Sequence, residues 1–407
     1  MVGCFNPWSI KRTLDVSLPN NRATFNRQVF CKVNGVVKRL RLVKSGDMSK
    51  LLPSRPDKIS SPMRLCLMVA QTGPAGLWSP SAVAAAELAV DEVNQQGGIL
   101  GREIEIFVRD CGPDATTAAQ NSLALGAEAL IGMFPSYARA DVAETLGGRI
   151  PFLYTPQFEG NERSADIITT GETTEDLLRT ALNVLGEKRS VRKVFLCGSR
   201  YRWPQESFAI ARRLIAEAGG EVVGEHFNNL EDEDYELLIE KIRESRADTV
   251  VPMFLGLDSV AFNRAFAAEG LSGRVARCIP GFDETMLYSL SPDETENLFT
   301  VSSYFAGHRS ANNGAFLERY YTRFGATPPP INAYGQSVYE GIYTLAALME
   351  NSQSSSLCLL RQGLGQVLPR RSARNGRGMR PVGTRASVLV AEAQGYDLNI
   401  IASGDLR

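Results

Sequence analysis

The chain has 407 residues, of which 44% are apolar and 22% charged, and its formal net charge is −1. That length suits two or three globular domains with sizeable cores. The balanced charge steers it toward neither nucleic acid nor an anionic membrane, and no run of about 18 apolar residues suggests a membrane-spanning helix.

The first 62 residues stand apart, with twelve Lys/Arg against three Asp/Glu and poor periodicity. They read as a basic extension, either disordered or preceding the functional start, which is expected near Met63; no nucleic-acid reader motif is present, and no direct nucleic-acid binding is expected. No apolar run of secretory length follows Lys11 and Arg12, so a cytoplasmic location is expected, with a periplasmic one as the alternative if the gene start is misassigned. Seven scattered cysteines suit reduced thiols better than a disulfide framework.

Regular patterning begins at residues 64–70, a strand, and passes through Gln71-Thr72-Gly73-Pro74 into a helix with Ser79 as its expected cap, Pro80 in its first turn and Val83, Ala86, Val90 and Val93 on one face. Asn94-Gln95-Gln96-Gly97-Gly98-Ile99-Leu100-Gly101 is glycine-rich like a phosphate loop. It follows a helix and precedes a strand, however, whereas anion cradles need exposed N–H groups at a helix N-terminus; a helix end and turn are expected. Further strands are predicted at 103–110, 193–197, 221–227, 249–254, 276–279, 298–305, 387–393 and 398–402, with helical patterns at 205–218 and 235–245. Such alternation predicts an α/β fold of two doubly wound parallel-sheet lobes with a cleft between them.

The stretch from 129 to 162 organises the rest. Apolar residues 129–134 break at Pro135-Ser136 into a helical segment, which stops at Gly147-Gly148 before residues 150–154 open into Thr155-Pro156-Gln157-Phe158-Glu159. Residues beyond strand carboxyl ends line the ligand crevice of an open α/β sheet. Phe134, Ser136, Tyr154, Thr155 and Glu159 are therefore expected on one side of the fold.

The run containing "TGPAG", "AAELAVDEVNQQGGILGREIEIFVRD" and "DATTAA" resembles the start of the type I periplasmic-binding-protein family, the leucine/isoleucine/valine-binding group. "LYTPQFEGNE" and "GSRYRWPQES" are similar to urea-type importer receptors and, more closely, to the cytosolic sensor of aliphatic amides that controls amidase operons. The resemblance covers about residues 63–350. It implies two lobes joined by a hinge with three chain crossings, lobe one from 63–178 plus 308–350 and lobe two from 179–307 plus 351–407. By motif position it implies ligand contacts from Phe134, Ser136, Tyr154, Thr155 and Glu159 on lobe one, and from Tyr201 and Trp203 on lobe two.

Each candidate has a plainer role. Ser136 suits a helix cap, Phe134 and Tyr154 the core, Trp203 packing against the lobe face, and Glu159 a loop brace. Asp258, Phe282 and Tyr304 lie at further strand ends and stand equally between cleft and core, whereas Tyr334 and Tyr339 are expected in the core. The two histidines, His226 and His308, have unrelated contexts, and no G-x-S-x-G, H-E-x-x-H or paired C-x-x-C occurs. A binder that uses no metal or cofactor, not an enzyme, is expected.

After the third strand, "FPSYARA" offers one serine followed by Tyr137, where the amino-acid receptors of the family it resembles offer several consecutive small or hydroxyl residues, which weakens the amino-acid reading. A short aliphatic amide or urea is expected as ligand, bound by a sensor that passes closure to a regulatory partner protein. The alternative is the solute receptor of an ABC permease for branched-chain amino acids, urea or amides. Residues 357–385 carry seven arginines and no acid, a departure from the family that reads as locally degenerate or frame-shifted sequence, or as a basic loop.

Overall fold

In this computed structural model the described residues are 29–33, 36–40, 61–188, 191–376, 378–385 and 387–404. They form two units, residues 1–59 and 60–407. In the first, β1 (Val29–Val33) and β2 (Val36–Leu40) pair as an antiparallel hairpin, with Val33 opposite Val36. The rest of the basic extension, including its expected disorder, lies outside the described residues.

The second unit opens with β3 (Met63–Val69), where the sequence pattern places the first strand. Residues Gly76–Trp78 form a 3₁₀ turn running straight into α1 (Ser79–Gln95). Ser79, expected as the cap, is instead already helical: the chain has α geometry at Trp78, so the extended cap residue whose side chain would reach back is missing. Then come β4 (Ile104–Asp110), α2 (Ala115–Ala124), β5 (Ala129–Met133), α3 (Arg139–Leu146), β6 (Phe152–Tyr154) and β7 (Ile168–Thr169). The glycines after α1 make the expected turn, with Gly98 N–H donating to Val93 O. The five strands form one fully parallel sheet in the order β4-β3-β5-β6-β7. Strand β5 is buried along its whole length, as a sheet covered on both faces requires.

The chain crosses at 170–173 into α4 (Thr174–Lys188) and a second sheet. This half holds β8 (Lys193–Ser199), α5 (Arg202–Glu217), β9 (Glu221–Asn228), α6 (Glu236–Ser245), β10 (Thr249–Met253), α7 (Leu257–Ala268), β11 (Ala276–Pro280), α8 (Glu284–Leu287) and β12 (Leu298–Ser302). It crosses back at 303–310 to α9 (Ala311–Phe324), α10 (Ala333–Ser352) and α11 (Leu357–Gln362), of which α9 and α10 pack on α1. A third crossing at 363–387 returns it to β13 (Val388–Gln394) and β14 (Asp397–Gly404). The second sheet runs β14-β13-β12-β11-β10-β8-β9. It is parallel-dominated, as the expected doubly wound lobe requires, with an antiparallel hairpin of β13 and β14 added at one end. A tight turn at Gly395 joins these two strands, and a two-strand turn permits only antiparallel pairing. Helix α4 packs on the second sheet, against β11, β12 and β13.

The arginine-rich stretch is an integral part of the third crossing. Arg361 donates to Ile167 O, Arg370 pairs with Glu350, Arg371 with Glu92, Arg374 with Glu172 and Arg385 with Asp176. A segment with no acid of its own thus borrows carboxylates from both lobes.

Candidate functional site

The carboxyl ends of the two sheets face one another, as the crevice rule for open α/β sheets anticipates. Between them lies a cavity of about 40 Å³ lined from both lobes. Lobe one contributes Trp78, Phe134, Ser136, Tyr154, Gln157 and Tyr334; lobe two contributes Tyr201, Trp203, Phe254, Ser259, Pro280 and Phe282. Among the described residues no charged side chain is part of the lining, and the fully buried Asp283 lies behind Trp78.

Several aromatic walls are held by their own hydrogen bonds and stacking. Tyr154 is 1% exposed and donates its hydroxyl to Phe134 O at 2.7 Å, while the two rings meet edge to face at 5.6 Å. Behind Tyr154 the guanidinium of Arg139 lies 4.9 Å from the ring centroid. Burial pushes the Tyr154 phenol well above its usual pKa, so it stays protonated and its O–H remains a donor. Trp203 donates its indole N–H to Thr174 Oγ1 at 3.1 Å, and Trp78 packs against Tyr334 with ring centroids 4.0 Å apart.

Three buried polar atoms in the lining lack a well-formed hydrogen bond: Ser136 Oγ, Ser259 Oγ and the indole nitrogen of Trp78, the last lying against the buried carboxyl of Asp283. Such atoms are costly to leave unsatisfied in a folded interior. Together they offer two hydroxyls and one N–H to whatever enters. Pro135 holds the cap position of the turn at Ser136–Ala138, and the Ser136 hydroxyl, inside the turn, is not spent on its backbone.

Of the seven residues expected here, the structure brings together Phe134, Ser136, Tyr154, Tyr201 and Trp203. It places Thr155 and Glu159 outside the lining. Thr155 is fully buried and donates its hydroxyl to Gly132 O at 3.2 Å, because its side chain points from the end of β6 back toward β5. Glu159 is 2% exposed and forms an ion pair with Arg139, itself fully buried. The same oxygen lies 3.1 Å from Arg202 Nε of lobe two. Glu159 is thus a carboxylate clasped between the lobes.

Tyr334, expected in the core, instead lines the cavity: Asn332 caps α10, which places Tyr334 in the first turn, at the cleft end of the helix. Tyr339, two turns in, keeps the core role and donates to Glu92 at 2.7 Å. Phe282 lines the cavity, whereas Tyr304 donates to Asn313 Oδ1 and Asp258 accepts from Ser199 Oγ at 3.2 Å. Burial pushes the Asp258 carboxyl up to about 6. Trp78 was legible by the crevice rule, since it closes the loop after the first strand; Ser259 had only its place after the strand at 249–253 as a signal.

The lobes are closed on each other. Leu257 N–H donates to Pro74 O at 3.0 Å, Gln157 Nε2 to Pro280 O at 3.4 Å and Asn332 Nδ2 to Thr285 Oγ1 at 2.7 Å, while Tyr137 and Tyr201 meet edge to face at 5.8 Å. At Gly256, with φ of +46°, an added Cβ would fall 2.0 Å from Pro74 O, so the approach requires glycine.

The periplasmic-binding-protein family model matches residues 62–362. This chain belongs to that family. Among solved structures, a solute-binding protein of an ABC transporter from R. palustris in complex with 4-hydroxybenzoate is similar at 18% identity and a TM-score of 0.74, covering 85% of this chain and 97% of that one. The branched-chain amino-acid binding protein LivJ from Streptococcus pneumoniae, in complex with isoleucine, aligns at 16% identity and 0.70, over 84% and 98%. A leucine-, isoleucine-, valine-, threonine- and alanine-binding protein from Brucella ovis, in its closed conformation, aligns at 14% and 0.72, over 85% and 95%. At these identities the likeness shows the fold. This periplasmic-binding-protein relative is a two-lobed α/β solute-binding protein.

Proposed function

We propose that the chain binds a small uncharged solute, a short aliphatic amide or urea, by closure of its two lobes. The observation that carries this is the lining: aromatic walls, three polar atoms without a well-formed hydrogen bond and no charged side chain. A carboxylate, whether of an amino acid or a benzoate, calls for a cation or a cluster of donors to replace its water. An amide needs less, since its carbonyl accepts from Trp78 and a serine while its N–H₂ donates to the other hydroxyl. Size agrees: at about 40 Å³ the cavity is above the roughly 10–15 Å³ that one water needs, yet small enough to suit a solute of few heavy atoms. Urea and acetamide have four.

Solute touching both lobes favours closure only by the extra affinity that the closed form offers. We take the reader of closure to be a regulatory partner protein of a cytoplasmic sensor. A second reading, an importer receptor delivering solute to an ABC permease, is favoured by the transporter-associated proteins to which the fold is similar.

The test is a thermal-shift and calorimetric comparison of acetamide, butyramide and urea with leucine, isoleucine, valine and 4-hydroxybenzoate. Solute at a hundred times its Kd adds about 2.7 kcal/mol. Stabilisation by the neutral solutes alone supports the proposal; stabilisation by a carboxylate in preference to them refutes it.

A further inference from the structure

Away from the cleft, lobe two carries an open surface groove of about 650 Å³ between α8, the crossing at 306–309 and strand β14. Three independent features meet there. First, β14 ends the seven-stranded sheet and pairs only with β13 among the described residues. Four consecutive residues of it, 397–400, line the groove. Alternate residues of a strand point to opposite faces, so a consecutive run can line a groove only along the strand's edge. Second, Tyr288 and Tyr396 stand on the groove 53% and 54% exposed, large aromatic surface that a monomer gains nothing by showing to water. Third, Glu284 in the lining is 5% exposed; its Oε1 accepts from Ala306 N–H at 2.5 Å and its Oε2 has no partner. A buried carboxylate without a cation is costly, and burial pushes this one up to about 7.

We propose that this groove is a protein-docking site: an extended segment of a partner protein adds to the free edge of β14 and places one lysine or arginine between Tyr288 and Tyr396 onto Glu284. Each feature of the groove then has a counterpart. Main-chain hydrogen bonds of strand addition satisfy the open edge, the tyrosine faces attract the cation, and Glu284 with Asp397 supplies the opposite charge. His308 also faces the groove, and burial lowers its pKa so that it stays neutral near pH 7. Arg309 in the lining repels a second cation, so the segment carries a single basic residue and not a basic run. Because residues 306–309 belong to a chain crossing, such a partner touches the hinge as well as lobe two.

The experiment uses the full chain without solute, so it stands or falls separately from the cleft assignment. The probe is the acetylated, amidated pentapeptide Thr-Val-Lys-Val-Thr, compared with the same peptide carrying Glu at its centre, by titration calorimetry and by hydrogen exchange over residues 397–404. The lysine peptide is expected to bind at least tenfold tighter than the glutamate peptide and to slow exchange along β14. Glu284→Gln and Tyr396→Ala are each expected to weaken it at least fivefold. Tyr396 is exposed, so that variant keeps the test alive if the buried substitution costs the fold. Equal binding of the two peptides, unchanged exchange in β14, or unaltered affinity in the folded variants would overturn the proposal.

Discussion

The cleft and the third chain crossing both hold a cavity between the lobes, yet they treat polarity in opposite ways. The cleft cavity is about 40 Å³, uncharged, and leaves Ser136, Ser259 and Trp78 with unspent polar atoms. The cavity at the crossings is about 210 Å³ and is lined by Arg374, Arg380 and Arg385 against Glu172, Asp176 and Glu340. Those charges are occupied by one another and by the chain. Arg374 donates to Gln336 at 2.8 Å and lies 3.3 Å from Glu172, while Glu340 accepts from Ser372 Oγ at 2.7 Å and Ala373 N–H at 2.8 Å. The crossing also leaves Thr170 Oγ1 and Asn375 Oδ1 unpaired, so what separates the two cavities is charge: the cleft lining has none, whereas the crossing is filled by arginines and carboxylates that hold one another and the chain.

That contrast fails if a spent charge proves to be a ligand contact. Arg139 is the strictest case, a fully buried cation holding Glu159 and Glu162, the latter at 2.8 Å. Arg139→Met leaves Glu162 without its cation and Glu159 with the half-exposed Arg202 alone, and is expected to cost about 3–5 kcal/mol of stability in denaturant titration. Loss of solute affinity with stability unchanged would move the pair from scaffold to site. Next in size is Gly256→Val, whose side chain would occupy the place of Pro74 O and keep the lobes apart. Solute binding should weaken more than about a hundredfold, roughly 2.7 kcal/mol, with a larger radius of gyration by small-angle scattering. A closed, solute-binding valine variant would show that this contact does not gate the cleft.

Much of this was legible before any coordinates. The alternation of apolar runs and helical patterns located the strands from β3 to β14 to within a few residues, the two-residue β7 excepted, because buried parallel strands must be continuously apolar and the helices between them amphipathic. Strand carboxyl ends pointed to Phe134, Ser136 and Tyr154. Glu159 was out of reach: a loop carboxylate near a pocket reads as a ligand contact, and only the fold shows Arg139, twenty residues earlier, and Arg202, from the other lobe, converging on it. Tyr334 was hidden by its helix, since periodicity distinguishes faces of a helix but not the end that meets a cleft. The arginine-rich crossing looked degenerate because its acids come from residues such as Glu92 and Asp176, far away in sequence.

Within the cleft the sharper test is Ser136→Ala. It removes one unspent hydroxyl and leaves the aromatic walls in place, so solute affinity should fall about tenfold, near 1.4 kcal/mol, with no loss of stability. Tyr154→Ala should weaken binding by more than tenfold as well, but with a stability cost, because the ring is packed between Phe134 and Arg139. The two variants separate an atom kept for the solute from a wall that serves both solute and core.

The smallest effect should come from the rim of the crossing. Arg385 pairs with Asp176 at 2.9 Å, but its side chain is 66% exposed, so water and salt screen most of the attraction and ordering the side chain offsets part of what remains. Arg385→Ala is expected to change stability by less than about 1 kcal/mol and solute affinity by less than about twofold. Arg374 is only 9% exposed, and Arg374→Ala would leave Glu172 short of a cation in a buried setting, so its cost should be several times larger. If the two arginines instead weigh equally in thermal denaturation, burial is not what makes the crossing rigid. If Arg385→Ala alone alters solute affinity, the crossing is itself a control point for closure, and the division between a cleft that binds and a crossing that holds would have to be redrawn.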